Sequence, residues 1–133
     1  MNARYLFIAF LIIAGCKKET IRLTSDVQGK WELVSRDGGW IGHQEYPPGN
    51  GNFLSFNGNA YSQEIKTTDT TYQSSGTYTI YKGKPCESAD EQTLIKFNDS
   101  EIPAGFSLSD GRLAIGATLC IADGTTSVYR KIQ

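Results

Sequence analysis

The chain begins with a run of apolar residues from Tyr5 to Ala14, then changes from Val27 onward to short stretches in which apolar and polar residues alternate. Alternation with a period of two puts every second side chain on one face of a strand, so each stretch reads as a strand with one buried side. Gly, Asn, Asp and Pro break the pattern about every 12 residues, the rhythm of an all-β domain. Eight strands follow from this pattern: 29–36, 52–57, 59–66, 71–82, 92–98, 104–109, 112–121 and 125–132. No window after Val27 carries apolar residues at three-and-four spacing for long enough to make a helix. Asn57-Gly58, Asp110-Gly111 and Asp123-Gly124 are hairpin dipeptides, which makes sequential strands antiparallel neighbours. Such a sheet hides its edges fully only by closing on itself. The prediction is therefore an eight-stranded antiparallel up-and-down barrel in preference to a two-sheet sandwich.

Parity along the strands turns Leu33, Leu54, Phe56, Tyr78, Ile80, Phe106, Leu108, Leu113, Ile115 and Leu119 toward the interior. These are mostly large, so a barrel filled by them has little empty space. On the strand at 59–66 parity is ambiguous: Ser62 and Glu64 face inward if Tyr61 and Ile65 face out. The longest gap between strands, 37–51, contains two of the four prolines, five glycines, Trp40 and Tyr46. A loop of that length in a compact domain is functional or disordered, and two large aromatics argue against disorder.

The leading segment, MNARYLFIAFLIIAGC, has a short basic start at Arg4, an apolar centre and small residues before Cys16. This is a signal-peptide pattern. The apolar stretch is about 11 residues, against the roughly 20 that a membrane-crossing helix needs. Ile13-Ala14-Gly15-Cys16 resembles the lipobox of bacterial lipoproteins. The resemblance implies cleavage before Cys16 and lipidation of that residue, and several acyl chains on one residue anchor a protein stably where one does not. With Lys17 rather than Asp after the cysteine, it also implies release to the outer membrane. The expected organisation is a signal peptide at 1–15, a lipidated polar tether at 16–26 with a reach of about 15 to 20 Å if flexible, and a barrel domain at 27–133.

Composition narrows the remaining choices. Thirteen basic against 14 acidic residues, with no basic run beyond Lys17-Lys18, give no footprint for nucleic acid. Three cysteines less Cys16 leave Cys86 and Cys120 in an exported, oxidising compartment, where one disulfide is the natural pairing. Two free thiols are the competing reading. A metal site is a third, and it needs His43 and one of Glu87, Asp90 or Glu91 to converge on the cysteines without any Cys-x-x-Cys spacing.

Taken in order, Gly29-x-Trp31, FLSFNGNAY at 53–61, GTYTIY at 76–81, FSLSDGRLAI at 106–115 and CIADGTTSVYRKI at 120–132 resemble the small lipocalin-like lipoproteins of Gram-negative bacteria, within the calycin group of barrels. The chain departs from true lipocalins in length, so a barrel without their C-terminal helix is expected. The resemblance implies that Gly29 and Trp31 open the first strand at the closed end, with Arg130 of the last strand packed on Trp31. It also implies that the loop at 37–51 folds over the open mouth, making Trp40, His43 and Tyr46 a lid. The alternative is that Trp40 and Tyr46 only pin that loop to the barrel wall.

Two functions remain in view. One is a membrane-anchored binding module that holds a small apolar or amphipathic ligand at the barrel mouth. The other is a solid barrel acting as an interaction or inhibitor module in the cell envelope. An enzyme is not expected, because His43, the single histidine, has no visible nucleophile partner, and no cofactor is implied. A cavity of several hundred Å³ favours the first function, and a filled interior with an exposed apolar patch favours the second.

Overall fold

A computed structural model describes residues 17–98, 100–118 and 120–133. The signal-peptide and lipidation readings, including Cys16, fall outside the described residues, as does the inward placement of Leu119. A helix over 17–26 leads into the barrel. The barrel strands are β1 (Gly29–Gly38), β3 (Phe53–Asn57), β4 (Ala60–Lys66), β5 (Thr71–Gly83), β6 (Gln92–Phe97), β7 (Ala104–Ser109), β8 (Arg112–Gly116) and β9 (Thr126–Lys131). Each pairs antiparallel with the next, and β1 pairs with β9. The sheet is thus a closed eight-stranded barrel. A further short strand, β2 (Gly42–Glu45), folds back on the far end of β1 as a hairpin through a 3-10 turn at Gly39–Ile41.

Register shows which face is inside. Trp31 pairs with Leu54, Phe56 with Tyr61, Tyr78 with Phe97, Phe106 with Ile115, and Leu113 with Tyr129. These cross-strand partners share one face and belong to, or pack against, one apolar core. The expected inward residues among the described ones all lie in or against it. On β4 the ambiguity resolves with Tyr61 and Gln63 on the inner face, because their register partners Phe56 and Leu54 are buried. Ser62 and Glu64 face out.

One end of the barrel is shut. Val27 is fully buried, Leu23 packs against the core from the helix, and the Trp31 indole N–H donates to the Val27 carbonyl at 2.7 Å. The segment expected as a polar tether is therefore helical. A helix this short is marginal alone, and burial of Leu23 and Val27 under the barrel supplies what propensity lacks. Gly29 sits at φ +111°, and a Cβ there would lie 2.2 Å from the Gln133 carbonyl oxygen, which accepts from the Lys30 amide. Only glycine allows the chain end to lie across the start of β1 in this way.

Arg130 does not pack on Trp31. Its partner across the ladder is Glu32, on the outer face, and its guanidinium bonds the Glu32 carboxylate through both Nε, at 3.1 Å, and Nη2. The cation near Trp31 is Lys131, with its Nζ 5.4 Å from the ring centroid. The reason is parity: Trp31 points inward, so the outward Arg130 meets the outward neighbour of Trp31. Glu32 is 3% exposed because the segment at 47–52 crosses over it, giving the Gly49 and Asn50 amides to its Oε1. The Arg130 hydrogen bond holds the Glu32 carboxyl below the usual range against the opposing effect of burial, with the two amides helping.

One boundary differs from the sequence pattern. β8 stops at Gly116 and β9 begins at Thr126, because the run between them contains Cys120, which leaves the ladder to join Cys86. That disulfide ties the 117–125 loop to the segment between β5 and β6. Leu94, outward by parity with the inward Ile95, is nonetheless fully buried, and its register partner Gly105 lies beside the Ala117 carbonyl. The stapled loops thus cover a strip of the outer wall.

Candidate ligand-binding site

The loops at 39–52, 67–70, 98–103 and 117–125 all connect strands at the end opposite the helix. Beneath them the barrel is not filled. A cavity of about 500 Å³ opens there, with apolar walls from Leu54 on β3, Tyr61 on β4, Phe97 on β6 and Ile115 on β8, and with Ile102 and Ile121 contributed by the loops. The large inward side chains crowd the closed half. The upper half stays open because its inward positions on β7 and β9 are small: Ala104 and Ser127 border the space, with Gly116 at the end of β8.

The walls are held in place locally. Tyr61 and Phe97 meet edge to face at 4.7 Å, and the Asn98 side-chain amide donates to the Tyr61 hydroxyl at 3.1 Å. Asn98 takes a positive φ of 49°, turning the chain from β6 into the 98–103 loop. A polar strip made of Gln63, Ser127 and Tyr129 crosses the otherwise apolar lining. Burial pushes the Tyr129 hydroxyl above the usual tyrosine range, opposed by its hydrogen bonds with Ser127 and Gln63 and by the nearby charge of Arg36.

The three residues expected to form a lid separate. Trp40 is 94% exposed at the tip of the β1–β2 hairpin and does not line the cavity. His43 is exposed on the outer face of that hairpin, with Asp37 on Nδ1 and Glu45 on Nε2 at 3.4 Å. These carboxylates, Asp37 first, raise its pKa above the usual histidine value. Only Tyr46 turns inward, packing against the core with its hydroxyl donating to Gln44 at 3.1 Å. The physical reason is that most of the expected loop forms a ladder with β1, and a two-residue period sends His43 and Tyr46 to opposite faces. The hairpin tip leans on the 117–125 loop: a Cβ on Gly38 would lie 2.5 Å from the Gly124 oxygen, and one on Gly39 2.6 Å from that of Asp123.

One residue that the sequence reading passed over stands beside this site, next to the lining residue Ser127 and not itself in the lining. Arg36 follows a bulge between Leu33 and Ser35, and its register partners are Ser127 on β9 and Gln44 on β2. The bulge shifts parity by one, turning inward an arginine that strict alternation from Leu33 would turn out. Its guanidinium carbon stands 5.9 Å from the Tyr46 ring centroid. An arginine flanked by Asp37 in a polar stretch carries no sequence signal for this.

Among the described residues no three His, Cys, Asp or Glu side chains are grouped to hold a metal ion, and both Cys86 and Cys120 are spent in the disulfide. No helix among them is long and apolar enough to cross a membrane. The chain matches no family model, no curated protein and no solved structure.

Proposed function

We propose that this chain is a lipocalin-like binding module, anchored through lipid on Cys16 to the bacterial outer membrane and holding a small apolar or amphipathic ligand inside the barrel mouth. The observation that carries the reading is the solvent-connected cavity of about 500 Å³, inside the size range of small-molecule sites and walled mainly by apolar side chains. For the anchor, the support is the Ile13-Ala14-Gly15-Cys16 box. The helix over 17–26 lies under the closed end, so an anchor at Cys16 holds that end to the bilayer and directs the mouth away from it.

A second reading, a docking or inhibitor module, draws on the rim. Trp40, Ile41, Tyr72, Ile102 and Ile121 are exposed apolar side chains around the mouth. The two readings separate in one experiment. Protein purified from its own host is examined by native mass spectrometry, and the protein from residue 17 onward is titrated with Nile red. A retained small molecule, or saturable dye uptake lost on filling the cavity with Ala104→Phe, supports ligand binding. A bare mass with no dye uptake refutes it and leaves docking. Separately, Cys16→Ala should remove lipid from the protein, and an unchanged lipid-modified mass would refute the anchor.

A further inference from the structure

The ligand-binding reading leaves open what kind of head group the cavity takes, and the surroundings of Arg36 bear on that. Arg36 is half-buried, and none of the ion pairs among the described residues includes it. Of the other three described arginines, Arg22 and Arg130 have carboxylate partners, Asp26 and Glu32, and Arg112 is exposed at the start of β8, at the closed end. The acids nearest along the hairpin do not answer Arg36. Asp37 and Glu45 face the outer side, where they bracket His43. On its own side Arg36 sees Gln44, Tyr46, Ser127 and the Tyr129 hydroxyl, none of them a carboxylate.

A half-buried guanidinium with no anion beside it is a costly arrangement that a bound anion relieves. Ser127 and Tyr129 line the cavity and adjoin Arg36, so an anion at the guanidinium would sit at the edge of the polar strip. An apolar tail attached to it would then run down between Leu54, Phe97 and Ile115. We propose that the cavity selects an anionic amphiphile, with Arg36 as the head-group residue, Ser127 and Tyr129 as neutral donors beside it, and the apolar walls taking the tail. This rests on the ligand-binding reading and adds the charge of the ligand to it.

The test uses the protein from residue 17 onward, which contains the closed barrel and its helix. Bound Nile red is displaced by decanoate, decanol or decyltrimethylammonium, each below its micelle-forming concentration. Decanoate should displace at about tenfold lower concentration than decanol, the scale of one charge-assisted contact, and the cation should be weakest. Arg36→Gln should erase the preference for decanoate while leaving decanol unchanged, and Arg36→Lys should keep part of it. Equal displacement by decanoate and decanol in the wild type overturns the proposal, as does a preference that survives in a folded Arg36→Gln. No Nile red uptake at all overturns the underlying ligand-binding reading instead. Because the wild-type series alone decides the head group, misfolding of a variant does not rescue the proposal.

Discussion

The outer-face pair of Glu32 and Arg130 makes an asymmetric prediction. The Glu32 side chain is 4% exposed and that of Arg130 is 34% exposed. Replacing Arg130 by Met leaves a buried carboxylate with only the Gly49 and Asn50 amides to satisfy it, whereas replacing Glu32 by Gln leaves an arginine that can rehydrate. Removing one partner of a fully buried pair costs about 3 to 5 kcal/mol, and the partial exposure of Arg130 places Arg130→Met at the lower end, about 3 kcal/mol. Glu32→Gln keeps an oxygen for the two amides and should cost about 1 to 2 kcal/mol. For a domain of this size each kcal/mol is roughly 4 °C in Tm, so the expected losses are about 12 °C and about 4 to 8 °C at neutral pH. The assay is thermal unfolding followed by circular dichroism over a pH series. In the wild type the folded pKa of Glu32 lies below its usual value, so this pair's contribution is full above pH ~4.5 and fades as pH falls through the folded pKa. In Arg130→Met burial dominates and the folded pKa rises, so the deficit relative to wild type should shrink on acidification. A Glu32→Gln loss equal to or larger than that of Arg130→Met, or a deficit that grows toward acid, would refute this account of the pair.

Trp40→Ala should change Tm by no more than about 2 °C, because its side chain is almost fully exposed, whereas Tyr46→Ala should cost about 2 kcal/mol or more from lost packing; equal effects in thermal unfolding would contradict the split of the hairpin faces. Cys86→Ala with Cys120→Ala opens a loop of sequence separation 34, and chain-entropy reasoning gives a loss of about 3 to 4 kcal/mol, to be read from the denaturant midpoint. An unchanged midpoint would show that the covered strip around Leu94 holds the two loops together without the disulfide.

The barrel itself was legible in the sequence. Period-two alternation, the Asn57-Gly58 and Asp110-Gly111 turns and the pairing of the two remaining cysteines depend on local chemistry and compartment, and they set the strand count, the antiparallel order and the inward faces of Leu54, Phe56, Ile80 and Leu113. The candidate site depended on information that alternation does not carry. The bulge after Leu33 reversed parity on β1, bringing Arg36 inward where the pattern turns it to solvent. The ladder between β1 and β2 divided three residues that had read as one lid, because neighbouring positions on a strand face opposite ways. Ala104, Gly116 and Ser127 lie far apart in the chain, and only barrel closure sets them around one open space. The helix over 17–26 formed for a similar reason. Its few apolar side chains are too few to signal a helix alone, and the apolar barrel end at Trp31, which the helix shuts, provided the surface that buries Leu23 and Val27. Local periodicity thus decided which way each strand faces, while non-local contacts decided where the faces leave room and which charge stands beside it.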